Sequence, residues 1–268
     1  MASFTVIAAY RFVDIDDGPA LQVRLLSDAQ ALALKGTVLL ASEGINLSLA
    51  GAPAALQQWL SALQTDPRFA ALELKSQRAE TPPFKRLLVK LKREIIRMNE
   101  LGVRPQAGRA PAVDSSTLRR WLDQGHCNEG RAVVMLDTRN SFEVQAGRFE
   151  GALHGHLSRF GGFPAALETL REQLAGKTVV SYCTGGIRCE KAALWMAQQG
   201  VAHVHQLDGG ILRYFERAPQ APHWQGRCVV FDERQALGPD LGLDLGADPD
   251  SVGHAGAVAD RARSTHAA

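Results

Sequence analysis

The sequence predicts two structural units of different class, an α+β unit followed by an α/β unit with a central parallel sheet. Two observations carry this. In the first hundred residues, strand-like and helix-like segments follow one another in the order β-α-β-β-α-β. From about residue 130, short and wholly apolar strands alternate with helical segments, a pattern that needs a parallel sheet covered on both faces. A length of 268 residues fits two such units.

Residues 4–13 read as the first strand. Residues 27–35 read as a short helix with Ser27 as N-cap and Gly36 as its stop. Residues 37–41 and 46–50 are apolar runs joined by a hairpin signal at 42–45. Residues 53–63 are helical, with Leu56, Trp59, Leu60 and Leu63 on one face. Residues 72–79 and 87–91 add two strands, and the order fits a ferredoxin-like domain. A Gly- and Pro-rich stretch, 102–114, reads as a linker leading to a helix with Leu118, Trp121 and Leu122. Strands are then expected at 133–137, 178–182 and 203–207, and helices at 165–174, 190–199 and 210–217. The expected division is 1–101 for the first domain, 102–123 for linker and connecting helix, 124–225 for the second domain and 226–268 for a C-terminal extension. That extension reads as largely disordered after about 238, where Gly, Ala and Asp dominate.

The hydrophobic fraction, 46%, is enough for a full core and too high for a disordered chain. No apolar run approaches the roughly 20 residues of a membrane span. Residues 1–7 lack the basic start of a secretory signal, and four cysteines in a chain this long are no disulfide framework. A cytoplasmic protein is expected, with no membrane and no evident obligate protein partner.

The sharpest chemical feature is a loop. Cys183, Thr184, Gly185, Gly186, Ile187, Arg188 and Cys189 run consecutively between an apolar strand and a helix. Ligands of open α/β sheets bind beyond the carboxyl ends of the strands. Two glycines let backbone N–H groups turn inward, the helix N-terminus adds positive potential, and Arg188 adds a full charge. All three favour a thiolate, or a persulfide anion, at Cys183. The plainer reading of Cys183 is a small core residue before a turn. A phosphocysteine-forming phosphatase needs five residues between Cys and Arg, and here there are four. Cys189 is either a resolving thiol or a packing residue. Asp137 and Arg139, at a strand end, are either supporting site residues or a structural ion pair. Glu43 and Asn46 lie at a hairpin turn and could face a substrate. His154 and His156 are too few to hold a metal, and no metal site is expected.

These residues resemble a rhodanese domain, with Cys183 at its persulfide-forming cysteine. Asp137, Thr138, Arg139, Asn140 and Glu143 are similar to the rhodanese motif that orders the active-site loop. Residues 147–152 and 207–211 resemble two further rhodanese turns. A rarer signature runs through the segments 10–13, 35–46, 50–51, 84–95, 183–191 and 228–234. Together these are similar to the tRNA uridine hydroxylase family, in family order, over residues 4 to about 237. The stretch 154–163 departs from the Pro- and Asn-containing segment of many members, and the further C-terminal cysteine cluster of many members is missing. The resemblance implies a ferredoxin-like (acylphosphatase-like) domain followed by a rhodanese domain. It implies oxygen-dependent hydroxylation of wobble uridine to 5-hydroxyuridine in tRNA, with Cys183 essential. Molecular oxygen and an unidentified electron donor are implied with it. The sequence itself shows no flavin fingerprint, iron triad or haem motif, so no cofactor is identified. A persulfide-forming sulfurtransferase is the alternative, and a tRNA-binding module with a vestigial loop is a third reading.

A formal net charge of +2 looks unfavourable for nucleic acid. The charge is uneven, however. Residues 75–109 carry ten basic and three acidic side chains, whereas 229–268 carry three basic and seven acidic ones. A concentrated basic stretch is the footprint of nucleic-acid binding, and Lys85, Arg86, Lys90, Lys92 and Arg93 are the expected RNA contacts. The other reading is a solvated strand face.

Overall fold

The structure, a computed structural model, describes residues 4–100, 102–232 and 234–241. The expected disorder after about 238 therefore falls, from 242 onward, outside the described residues. The chain begins with β1 (Phe4–Phe12), α1 (Gly18–Ala31), β2 (Lys35–Ala41), β3 (Gly44–Gly51), α2 (Pro53–Gln64), β4 (Leu74–Ala79) and β5 (Leu87–Leu91). These strands form one sheet in the order β4-β1-β3-β2-β5, antiparallel except where β5 runs parallel to β2. The ferredoxin-like expectation holds, with β5 as an added edge strand.

Alternation along the strands separates the two faces of this sheet. Ile7, Ala9, Val38, Leu40, Ile45, Leu47 and Leu49 pack against Leu21, Leu25 and Ala29 of α1 and Leu56, Trp59, Leu60 and Leu63 of α2. The opposite face carries Ala8, Tyr10, Leu39, Asn46, Ser48, Lys75 and Gln77, and no helix of the first half covers it.

One element differs from expectation. The first helix spans Gly18–Ala31, not 27–35, and Ser27 lies inside it. Pro19, in the first turn, has no N–H to lose there and suits a helix start. The helix ends because Ala33 takes φ +52°, and Lys35 and Gly36 already belong to β2.

The second half comprises β6 (Ala112–Val113), α3 (Ser115–Gln124), β7 (Val133–Asp137), α4 (Ser141–Ala146), β8 (Gly147–Phe149), β9 (Leu153–His154), α5 (Phe163–Leu174), β10 (Thr178–Tyr182), α6 (Ile187–Gln198), β11 (Val204–Leu207) and α7 (Gly210–Arg217). Its sheet runs β6-β11-β10-β7-β9 with every pair parallel. Ala112 and Val113, read as linker, are thus an edge strand of this sheet. Asp114 caps α3 by accepting the N–H groups of Ser116 and Thr117, and Gly125 ends the helix at φ +77°. The short β12 (Trp224–Gly226) pairs with β8, and β13 (Cys228–Val229) pairs with β14 (Ala236–Leu237). Among the described residues, no helix is long and apolar enough to cross a membrane.

The halves meet through the uncovered face of the first sheet. Lys191 of α6 is 1% exposed and donates to Glu43, to Glu94 and to the carbonyl of Ile96. Glu43 also accepts the N–H of Ile95, so this hairpin residue serves the junction and does not line the cleft. Removing one partner of a buried ion pair strands the others without water. Lys191→Ala should lower the unfolding free energy by about 3–5 kcal/mol, read from urea denaturation of the full chain. A drop below about 1 kcal/mol would mean that Lys191 does not hold the halves together.

Candidate active site

All five residues of β10 are buried, and its parallel bonding to β7 and β11 fixes where it ends. Cys183 follows directly, and α6 starts at Ile187. The backbone must reverse between these points. Gly186 does so at φ +102°, and a Cβ there would stand 3.0 Å from the Tyr10 hydroxyl. The α7 N-terminus holds the loop from behind: Ile211 N–H donates to the carbonyl of Cys183 and Leu212 N–H to that of Thr184. Gly210 permits this approach, since a Cβ there would lie 2.5 Å from the Cys183 carbonyl. With these carbonyls drawn outward, the loop N–H groups are free to face the sulfur. The Gly186 N–H donates to Cys183 Sγ at 3.1 Å.

Cys183 is fully buried, and burial opposes its ionisation. The Cys189 thiol, the Arg188 guanidinium and the N–H groups of Cys189 and Gly186 outweigh that, and the pKa falls to about 5. Cys189 moves the other way. Burial and the adjoining Cys183 charge push its thiol well up. At neutral pH the pair is one thiolate and one thiol, with the Cys189 thiol donating. Cys127 and Cys228 are also free and buried, and neither lines the cleft. Burial pushes Cys228 up to about 12.

Arg188 acts on Cys183 by charge while its hydrogen bonds go elsewhere. Its two terminal nitrogens meet Glu143 at 2.6 and 2.8 Å in a bidentate pair. Glu143, in the first turn of α4, also accepts the Asn140 N–H and the Thr184 hydroxyl. Asp137 and Arg139 form a separate ion pair with no exposure, and the Arg139 guanidinium lies over the Tyr182 and Trp224 rings. Neither lines the cleft; they brace the strand end beneath the loop. His154 and His156 have their rings 4.2 Å apart, and among the described residues no third ligand joins them.

The loop forms the floor of a cleft of about 820 Å³. Its roof is the uncovered face of the first sheet. Tyr10 donates to Glu190 at 2.8 Å, and Lys75 donates to the Gly185 carbonyl at 2.8 Å. Burial and the Glu190 charge hold the Tyr10 hydroxyl well above its usual pKa, and burial lowers that of Lys75. Phe84, Phe160 and Phe231 line the walls together with Arg97, Arg159 and Arg234. Sequence reading passes over Tyr10, Gln77, Arg159 and Arg234 as site residues and counts Lys75 as surface charge. Tyr10, Lys75 and Gln77 share a signal, a polar face opposite the apolar face of the same strands, which shows once the pairing of β1 and β4 is known; Arg159 and Arg234 sit in a bend and a turn and share no such pattern. Lys85, Arg86, Lys90, Lys92 and Arg93 are exposed and do not line the cleft, but Phe84 and Ile96, on either side of them, do.

The thiolate should titrate with a midpoint near pH 5, seen as 240 nm absorbance present in wild type and missing in Cys183→Ser. Since the folded pKa is depressed, the signal persists at neutral pH and is lost as pH falls through about 5. Arg188→Met should raise the midpoint by at least one unit, and an unchanged midpoint would deny Arg188 this role.

Comparison with known proteins agrees with this architecture. Residues 4–95 match the family described as UPF0176 acylphosphatase like domain, and residues 118–216 match the Rhodanese-like domain family. A tRNA uridine(34) hydroxylase of Variovorax paradoxus is 57% identical over 88% of this chain and 89% of its own length. That of Bordetella petrii is 58% identical over 90% of this chain and 95% of its own, and that of Delftia acidovorans 53% over 91% and 92%. At this identity, over nearly the whole of both chains, the chain belongs to the tRNA uridine(34) hydroxylase family.

Proposed function

We propose that this chain is a tRNA-modifying oxidoreductase that hydroxylates uridine 34 to 5-hydroxyuridine with molecular oxygen. The observation that carries the reading is a thiolate with pKa about 5 on the floor of a cleft of about 820 Å³ walled by aromatic and basic side chains. In this reading the Cys183 sulfur adds to C6 of the uracil ring, which makes C5 electron-rich. C5 then takes one oxygen atom of O2. Two electrons and two protons from a separate donor carry the second oxygen atom to water, and loss of the C5 proton with elimination of the thiolate restores the C5–C6 double bond. Cys189 returns a hydrogen bond to the departing sulfur. The division at about residues 101 and 124 gives each part a role: the first domain roofs the cleft and holds RNA, and the second supplies the nucleophile. The work is placed in the cytoplasm with its tRNA.

The exposed strip Lys85, Arg86, Lys90, Lys92 and Arg93 lies in sequence between the cleft-lining Phe84 and Ile96 and suits the phosphates flanking an inserted nucleotide. Replacing Lys85, Arg86, Lys90 and Lys92 with Ala should weaken tRNA binding. It should also reduce the slope of log affinity against log salt by about 0.7–0.9 for each phosphate no longer neutralised. Equal affinity and slope would detach the strip from RNA.

Nucleoside mass spectrometry of tRNA from a deletion strain tests the activity itself. Complementation with wild type should restore 5-hydroxyuridine, and Cys183→Ser should not. Restoration by both would leave a binding module, and disappearance of a thiolated nucleoside instead would favour sulfur transfer.

A further inference from the structure

Gln77, on β4, faces the cleft that holds Cys183, and its amide has an assigned orientation. Arg234 Nη1 donates to Gln77 Oε1. A guanidinium has donors and no acceptor, so the oxygen of the amide must face it and the NH2 must face away. Asp232 in turn accepts from the Arg234 N–H, Nε and Nη2, which fixes the guanidinium. The Gln77 NH2 is buried, and among the described residues it has no hydrogen-bond partner. A buried donor left unmade is costly, and it calls for an acceptor that a water, an ion or a ligand can supply. Both N–H groups of this amide lack acceptors among the described residues, on a residue that lines the cleft. Arg234, which orients it, is 157 residues away in sequence, and the nearby Phe231, 68% exposed, also lines the cleft.

We infer that Gln77, held by Arg234, reads the O4 carbonyl of the target uracil and thereby distinguishes uridine from cytidine. This rests on the proposed uridine chemistry and adds to it the residue that selects the base. Uracil and cytosine differ at this position: uracil presents a carbonyl acceptor at C4, cytosine an amino donor. An NH2 locked toward the base bonds to the first and opposes the second. Arg234 is the positioning residue, since it bars the amide flip that would present Oε1 to a cytosine amino group.

The test uses the full-length protein and 17-nucleotide anticodon stem-loops that differ in a single base, uridine or cytidine at position 34. Fluorescence anisotropy gives the ratio of their dissociation constants. Wild type should favour the uridine loop about tenfold, the worth of one such hydrogen bond. Gln77→Ala should bring the ratio to about one, and Gln77→Glu, which offers acceptors and no donor, should reverse it. Arg234→Met should narrow the ratio while leaving Gln77 in place, with circular dichroism checking the fold of each variant. A wild-type preference that survives Gln77→Ala and Gln77→Glu overturns the inference. If 5-hydroxyuridine still forms in those variants, the hydroxylase reading stands without it. Failure of wild type to bind either loop would overturn both.

Discussion

An anion with no exposed surface must be solvated by the protein around it, and the Cys183 loop is organised by that requirement. Water is replaced by the N–H of Gly186, the N–H and thiol of Cys189 and the field of Arg188. Each of these has its own support. Gly186 can turn because it is glycine, Arg188 is held by Glu143, and α7 fixes the loop carbonyls from behind. Burying the Arg188–Glu143 pair is costly by itself. Its return is a positive charge that stays near the sulfur without bonding to it, so the sulfur keeps its nucleophilic lone pairs.

The same requirement explains why two dissimilar halves share one chain. A sheet with helices on one side leaves its other face bare, and such faces need cover. Here the cover is the cysteine loop. Tyr10 and Lys75 reach from the bare face to Glu190 and Gly185, while Lys191 reaches back to Glu43 and Glu94. The cover is incomplete because of the side chains on that face: small and polar residues such as Ala8, Asn46 and Ser48 leave a cleft where larger apolar ones would close it. The Cys183 sulfur thus lies fully buried at the floor of the gap between the two halves.

Much of the fold was legible because its central strands are short and wholly apolar and its turns are marked by Gly and Pro. The strands at 133–137 and 178–182 and the buried face of α2 follow directly from such patterns. The start of α1 did not, because Ser27 has the composition of an N-cap while the helix in fact begins nine residues earlier, with Pro19 in its first turn. Strands of two or three residues, such as β6, β8 and β13, carry no periodicity to read. At the site, Cys183 and its loop were plain in the sequence, since chemistry and turn geometry are local there. The roof was not. Tyr10 and Glu190 are 180 residues apart, and Lys75 and Gly185 are 110 apart. Lys75 lay within a basic run whose other members are mostly exposed, and its burial depends on a partner strand and a second domain. Asp137 and Arg139 show the converse. Read from the sequence as supporting residues or as a structural ion pair, they form a fully buried ion pair beneath the loop.

The proposed chemistry turns on whether Cys183 reaches the pyrimidine ring. The most direct measurement is intact-mass analysis of the full-length protein after incubation with tRNA carrying 5-fluorouridine at position 34. Addition of the thiolate to C6 should give a species heavier by one RNA, mapped by digestion to Cys183 and missing in Cys183→Ser. An RNA-free protein under conditions where the same tRNA is bound, or an adduct at another residue, would contradict it.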